Sequence, residues 1–192
     1  MTKIKSFNFR NITNWSDEKS EFSGRGLGKP TIQARVKAKE GAVVDALQDI
    51  LDLSNIEVKN AGNQIIGGSG RKPDIFKILK LVNLVIEVDE FQHKYYSKAD
   101  EVGRMQAIAA DFKDPKPPLK RNKKPTVFIR FNPDGYANIQ GCWKESQLTD
   151  ENQWKRRIKR LKQCIQAIKN EKTLQQGVYV CYLYFDLENR AG

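Results

Sequence analysis

The sequence predicts an α/β protein in which a mixed central β-sheet is flanked by helices. Some segments repeat apolar residues at the three- and four-residue spacing of a buried helix face, and others show the short apolar or alternating runs typical of strands. Because the two kinds of segment alternate along the chain, a sheet with helices packed on its faces is favoured. The predicted helices are 39–51, 97–112 and 150–168, and the main predicted strands are 74–79, 84–89, 126–131 and 177–185.

The N-terminal half contains one helix and then strands. Residues 1–30 lack periodicity and form either an arm that contacts a phosphate backbone or a plain flexible terminus, ahead of a single domain at 31–192. The first helix is predicted from Lys39, with Glu40 in its first turn. Short strands are expected at 56–58 and 64–66, followed by a glycine-rich loop at 67–70.

The hairpin formed by 74–79 and 84–89 carries the acidic residues of most interest. Because successive strand residues alternate between the two faces of a sheet, Glu87 and Asp89 are predicted to point the same way. Asp74 begins the neighbouring strand, and His93, the only histidine of the chain, follows the second strand. Three carboxylates and one imidazole are therefore expected near the ends of two adjacent strands.

The C-terminal half continues with helices and strands in turn. Val102, Met105, Ile108 and Phe112 define the buried stripe of the second helix. A loop rich in lysine and proline at 113–125 then leads into the strand 126–131, which is closed by a turn at 132–135. Asp150 and Gln153 resemble a capping pair at the start of the last helix.

The composition indicates a basic intracellular protein. The 192 residues include 34 Lys plus Arg against 23 Asp plus Glu, a net charge of +11, which favours nucleic acid as partner and an acidic membrane surface second. Three widely spaced cysteines without a CxxC pair predict reduced thiols rather than a zinc site. No apolar stretch is long enough to span a bilayer and no secretion signal is visible, so we expect a protein of the cytoplasm, nucleus or virion.

Clustered carboxylates in such a basic chain predict a site for a hard cation that faces a polyanion. Mg²⁺ or Mn²⁺ takes one or two carboxylates plus water, and Asp74 and Glu87 would supply these oxygens, with Asp89 as a further ligand. An imidazole titrates near neutral pH, so His93 is a candidate general base. This combination predicts hydrolysis of a phosphodiester bond.

These residues resemble the PD-(D/E)xK nuclease superfamily. Pro73-Asp74 matches the "PD" and Glu87-Val88-Asp89 matches "(D/E)x" followed by the position that usually holds lysine. The resemblance implies a restriction-endonuclease-like core over roughly 39–131 and adds Glu40 as an acid of the first helix. Asp89 in place of the lysine, with Gln92 and His93 downstream, looks like the very-short-patch repair and homing endonuclease branch, which implies that His93 assists the attacking water while Gln92 orients it.

Each of these residues also has a plainer interpretation. Asp74 could be a turn residue, Asp89 a strand-end acid paired with lysine, His93 a hydrogen-bonded surface residue, and Glu40 an acid favoured by the helix dipole. Basic residues near the site, in the Lys/Pro loop and on the last helix are candidates for contact with double-stranded DNA, although a solvated charged face explains them equally well. The candidates are Arg71, Lys72, Lys94, Arg104, Lys120, Arg121, Lys123, Lys124, Arg156, Arg157 and Arg160.

Two classes of function follow. The first is a metal-dependent DNA endonuclease of the homing or repair type, site-specific or nicking, that acts as a monomer or homodimer. The second is a non-catalytic, basic nucleic-acid-binding protein on a decayed nuclease fold. The joint presence of Asp74, Glu87, Asp89 and His93 favours the enzyme.

Overall fold

A computed structural model of the chain describes most of the predicted domain. The described residues are 4–7, 32–51, 65–93, 96–134, 136–137, 143–144 and 151–185. Within them, a five-stranded mixed sheet is flanked by helices, which confirms the predicted α/β class.

The sheet has the strand order β1-β7-β4-β3-β2. Strand β2 is antiparallel to β3, whereas the pairs β3–β4, β4–β7 and β7–β1 are parallel. A separate two-stranded sheet pairs β5 with β6. The strands are β1 (Ile4–Ser6), β2 (Ile75–Ile78), β3 (Asn83–Val88), β4 (Thr126–Phe131), β5 (Tyr136–Ala137), β6 (Trp143–Lys144) and β7 (Val178–Leu183).

Helices cover both faces of the sheet because the central strands are apolar on both sides. Leu84, Ile86 and Val88 of β3 pack toward helices α1 and α3. Val85, between them, packs with the core residues of α2 on the opposite face. All six residues of β3 and of β4 are buried, as expected for central strands that are covered on both faces. The helices are α1 (Ile32–Leu51), α2 (Lys98–Asp111) and α3 (Glu151–Asn170).

One edge of the sheet gathers the ends of several elements, and we call it the carboxyl edge. It is formed by the C-terminal ends of the parallel strands β3 and β4 and by the start of the antiparallel strand β2. A short 3₁₀ turn, Glu90–His93, continues from β3 at this edge. Helix α2 begins nearby with Ser97 as its N-cap, the side chain of which accepts a hydrogen bond from the backbone N–H of Asp100.

The structure differs from the sequence prediction in several places. Helix α1 begins at Ile32 instead of Lys39, and most of the added residues, such as Ala34, Arg35 and Ala38, are good helix formers. Ile4–Ser6, predicted to lie in an arm, adds an edge strand parallel to β7, and three residues are too few to show strand periodicity. Ile65 and Ile66 lie outside the strands, and the predicted strand at 56–58 falls outside the described residues.

Among the helices that the structure describes, none has both the length and the apolar composition needed to cross a bilayer. Cys164 and Cys181 are buried and are not joined in a disulfide, and Cys142 lies outside the described residues.

Candidate functional site

Asp74 and Glu87 face each other across the β2–β3 hairpin at the carboxyl edge. The strand register pairs Ile75 with Ile86, which makes Asp74 and Glu87 the next facing positions. The side chain of Asp74 is fixed there, because its Oδ2 accepts a hydrogen bond of 2.7 Å from the backbone N–H of Val88. The structure therefore brings together the two carboxylates that the sequence singled out first.

Negative charge is concentrated around Asp74. Burial and then the charge of Glu87 raise the pKa of Asp74 well above its usual range, and Glu40 and Asp89 add to this effect. Glu40 of α1 therefore lies close enough to Asp74 for its charge to raise the pKa of that carboxyl. The Oδ1 atom of Asp74 has no hydrogen bond to any of the described residues. A carboxylate in this position would be stabilised by a cation.

Glu87 is buried and forms an ion pair with Arg104 of α2. The Nη2 atom of Arg104 donates to both carboxylate oxygens of Glu87, at 3.2 and 3.0 Å, and to the carbonyl oxygen of Lys72 at 2.7 Å. Burial raises the pKa of Glu87, and the nearby guanidinium opposes this only in part. Arg104, predicted to contact phosphate, forms an ion pair within the acidic site itself.

Asp89 is fully buried and is neutralised by Arg130, a residue of β4 that the sequence analysis did not single out. The Nη2 atom of Arg130 donates to Asp89 Oδ1 at 2.8 Å, and its Nε donates to the other carboxylate oxygen. The guanidinium also contacts Glu101 of α2. Two nitrogens of the buried Arg130 engage the two oxygens of Asp89, whereas the oxygens of Glu87 share one nitrogen of the part-exposed Arg104. Asp89 is therefore less well placed than Glu87 to act as a metal ligand.

His93 lies against this buried group. Its Nδ1 is 3.2 Å from Asp89 Oδ1, 3.5 Å from Glu101 Oε1 and 3.2 Å from Arg130 Nη2. Burial alone would lower the pKa of His93, but the hydrogen bond with Glu101 and the charge of Asp89 outweigh it and raise the pKa. A proton on Nδ1 can be shared with either carboxylate, and this leaves Nε2 as the basic nitrogen of the neutral ring.

Glu101 carries a testable electrostatic signature. Burial alone would raise its pKa, but the hydrogen bond to His93 and the charge of Arg130 lower it to about 2, from 4.5. A lowered folded-state pKa adds stability that is fully present above about pH 4.5 and is lost as the pH falls toward 2. We expect Glu101→Gln to flatten the fall in unfolding free energy within this window, measured by urea denaturation at a series of pH values. The fall should be steeper in the control variant Asp45→Asn, which replaces an exposed acid of α1, than in Glu101→Gln.

A second group of charges lies on the α1 side of the carboxyl edge. Lys39 of α1 forms a buried ion pair with Asp134 in the turn after β4. Burial raises the pKa of Glu90, in the 3₁₀ turn, to about 7. Asp134, predicted to be a turn residue only, therefore also anchors α1 to this edge.

The basic residues predicted to bind DNA fall into separate places. Arg71 and Lys72 are exposed directly before Asp74. The loop with Lys120, Arg121, Lys123 and Lys124 lies at the opposite edge of the sheet, where Asn83 contacts the carbonyl oxygen of Lys124. The length of six-residue β4, about 17 Å at about 3.3 Å per residue, separates this loop from the acidic residues.

The start of α3 lies close to the carboxyl edge. Arg157 is 5% exposed, donates 2.9 Å hydrogen bonds to the carbonyl oxygens of Asn132 and Asp134, and lies over the ring of Tyr184. This burial leaves Arg157 no path to a phosphate backbone, and we remove it from the predicted set. Its neighbour Arg156 is exposed and Arg160 is half-buried. The side chain of Gln92 and the whole of Lys94 fall outside the described residues.

Two signals in the sequence mark the residues that were missed. Arg130 interrupts the buried run Val-Phe-Ile-Arg-Phe just as Glu87 interrupts Leu-Val-Ile-Glu-Val, and the two are paired in register in the sheet. Glu101 lies four residues before Met105, on the buried stripe of α2. A charge in a buried position requires a partner of opposite charge, so Arg130 could have been predicted to form buried ion pairs with acidic residues such as Glu101.

No family model, curated protein or solved structure matches this chain. Among the described residues, no three Asp, Glu, His or Cys side chains come close enough to form a ready metal-binding group.

Proposed function

We propose that the protein is a metal-dependent DNA endonuclease with a restriction-endonuclease-like core, related in pattern to the PD-(D/E)xK nucleases. The observation that supports this most is the facing of Asp74 and Glu87 across the β2–β3 hairpin. The mixed sheet, with helices on both faces and acids at the start of one strand and near the end of the next, is compatible with the resemblance seen in the sequence.

The donor set fits a small hard cation. Two carboxylates, with water completing the coordination, are the protein ligands that Mg²⁺ commonly takes, and Mn²⁺ uses similar oxygen donors. Asp74 and Glu87 would hold the ion, and Glu40 would add negative charge from α1. When bound, the ion would neutralise charge on the scissile phosphate and acidify a coordinated water.

The remaining groups of the carboxyl edge would serve the proton transfer and hold the site in place. His93, with a proton on Nδ1 shared with Asp89 or Glu101, would receive a proton from the attacking water at Nε2. Asp89 would act as a positioning residue, since its carboxylate holds Arg130 and His93 in one buried group. Gln92 remains a predicted partner of the same water.

The charge distribution supports double-stranded DNA as the substrate. The chain carries a net charge of +11, and Arg71 and Lys72 are exposed beside the acidic pair. Arg156, near the start of α3, adds positive charge close to the same edge, and the basic loop at 120–124 would extend a contact across the opposite edge. A homing- or repair-type enzyme that cleaves at specific sites or nicks one strand is the form that we propose.

The proposal predicts Mg²⁺-dependent conversion of supercoiled plasmid to nicked or linear DNA. Purified protein should produce this conversion with Mg²⁺ or Mn²⁺ and lose it in excess chelator, and Asp74→Asn should lose it with both ions because one of the two charged ligands is removed. Gel analysis of a time course measures the rates. Cleavage that is equally fast with the chelator would contradict the proposal.

One feature of the site favours a second function, that of a non-catalytic nucleic-acid-binding protein. Glu87 is already paired with Arg104, and Asp89 with Arg130, so both acids have cationic partners without any metal. On this alternative the protein binds DNA tightly and with strong salt dependence but shows neither metal binding nor turnover. A calorimetric titration with Mn²⁺ separates the two functions, because only the nuclease should release or absorb heat at a defined site.

A further inference from the structure

The segment 67–73, which leads into Asp74, is attached to α2 and to the loop after it. At its start, the carbonyl oxygen of Ile66 accepts a hydrogen bond of 2.7 Å from the N–H of Lys116, and Gly67 forms an isolated β-bridge with Pro115. At its end, Arg104 holds the carbonyl oxygen of Lys72. The segment is therefore attached at both ends before the chain enters β2.

A third attachment lies between these two, at the C-terminal end of α2. Asp111 accepts a hydrogen bond of 3.0 Å from the backbone N–H of Ser69, and its second carboxylate oxygen accepts one from the Ser69 hydroxyl. The same hydroxyl oxygen accepts a hydrogen bond of 3.1 Å from the N–H of Arg71. Asp111 is buried, and an acid in the last turn of a helix is opposed by the helix dipole. Its presence there is explained by the bonds that it makes to the segment.

Gly67 is fitted against Asp111 at a distance that excludes any side chain. A Cβ atom added at Gly67 would lie 2.7 Å from both Cβ and Oδ1 of Asp111, closer than real atoms approach. A Cβ added at the neighbouring Gly68 would meet nothing within 4 Å. The two glycines therefore form a matched pair, in which only the first is required for the contact with α2.

We propose that Asp111 is a positioning residue for the candidate metal site: through Ser69 and Gly67 it fixes the segment that places Asp74 opposite Glu87. This inference rests on the proposed nuclease function. Arg104 contributes to the same arrangement, because one guanidinium nitrogen binds both the Lys72 carbonyl and Glu87. Helix α2 thus positions both carboxylates. It holds Asp74 through the segment 67–73 and holds Glu87 through Arg104.

Gly67→Ala, compared with Gly68→Ala, tests this inference, with Asp111→Asn as a second route to the same disturbance. The first readout is hydrogen exchange of the Val88 amide, which donates to Asp74 Oδ2, measured by NMR against the Ile129 amide in β4. The second is the Mn²⁺ concentration that gives half-maximal DNA cleavage. For Gly67→Ala we expect faster exchange at Val88 but not at Ile129, and a Mn²⁺ requirement raised by at least about tenfold, as when an outer partner of a metal ligand is lost.

The outcomes separate this inference from the function on which it rests. The role of Asp111 would be overturned, whatever the cleavage result, by two findings together. The Val88 amide would exchange at the same rate in Gly67→Ala and Gly68→Ala, and in Asp111→Asn it would exchange at the wild-type rate. A wild-type protein that neither cleaves DNA nor responds to Mn²⁺ would overturn the nuclease, and the role in metal positioning with it. An equal rise in exchange at Val88 and Ile129 would mean that Asp111 supports the whole fold rather than the placement of Asp74, and would also overturn the inference.

Discussion

Replacing Glu87 with glutamine is expected to lower the rate of Mg²⁺-dependent DNA cleavage by about 10²- to 10³-fold or more, as when one strong electrostatic group of an active site is removed. The substitution keeps the shape of the side chain and an oxygen that can accept from Arg104, but it removes the charge that a cation needs. Because burial raises the pKa of Glu87, the neutral side chain should not destabilise the fold. Single-turnover cleavage of a labelled duplex measures the loss.

The matched control is Glu151→Gln. Glu151 is an exposed residue in the first turn of α3 and pairs with Lys155 on the surface. The control should cleave at the wild-type rate, and both variants should bind DNA with unchanged affinity in a filter or anisotropy assay. Cleavage by Glu87→Gln at the control rate would remove Glu87 from the site.

Replacing Arg130 with methionine is expected to destabilise the protein by about 3–5 kcal/mol, the usual result of removing one partner from a buried ion pair. The side chain of Arg130 is 2% exposed, and the variant would leave Asp89 and Glu101 without their common partner. The free energy of unfolding in urea at pH 7 gives the measurement. Arg130→Lys keeps the charge but not the bidentate geometry, so we expect a smaller loss and a variant that still folds.

Arg121→Met is the control for this prediction. Arg121 pairs with Asp114 at 2.6 Å, but both side chains are largely exposed, and surface pairs contribute between about 0 and 1 kcal/mol. If the Arg130 variants were no less stable than the Arg121 variant, Arg130 would not hold the buried group together.

The elements that the sequence located best are those with a simple burial pattern. The strand Thr126–Phe131 has the bounds that were predicted, because a continuous apolar run bounded by a proline-rich loop and an Asn-Pro-Asp-Gly turn allows few other structures. The short strand Ile4–Ser6 depends on pairing with β7, a partner more than 170 residues away. Local pattern carries no information about such a pairing, and the strand was missed for this reason.

In the candidate site, too, the features that depend on local pattern were predicted and those that depend on distant parts of the chain were not. The grouping of Asp74, Glu87 and Asp89 followed from strand alternation and from one hairpin, which are local properties. The partner of Asp89 did not, because Arg130 belongs to a parallel strand that the chain reaches only after α2. The sequence therefore placed Asp89 among the metal ligands, whereas the structure surrounds it with a guanidinium and an imidazole.

The positions of the basic residues were the least predictable part. The net charge of +11 indicated a polyanionic partner, but charge density alone does not show which edge of the sheet a loop occupies. The Lys/Pro loop lies at the edge away from the acids, and Arg157 on the basic helix is turned inward to bind two carbonyl oxygens. Arg156 and Arg157 are adjacent in α3, and the rotation of the helix between them turns Arg157 toward the carbonyl oxygens after β4 and leaves Arg156 exposed.

The most direct test of the metal site is a crystal of the protein soaked in Mn²⁺, with anomalous scattering used to locate the ion. We expect one strong peak between the carboxylates of Asp74 and Glu87, within about 2.0–2.4 Å of an oxygen of each, and no ligand from Asp89. Arg104 should move away from at least one oxygen of Glu87 to admit the ion. The proposed metal site would be contradicted if, at a saturating Mn²⁺ concentration, no peak lay between Asp74 and Glu87 or a peak appeared only elsewhere.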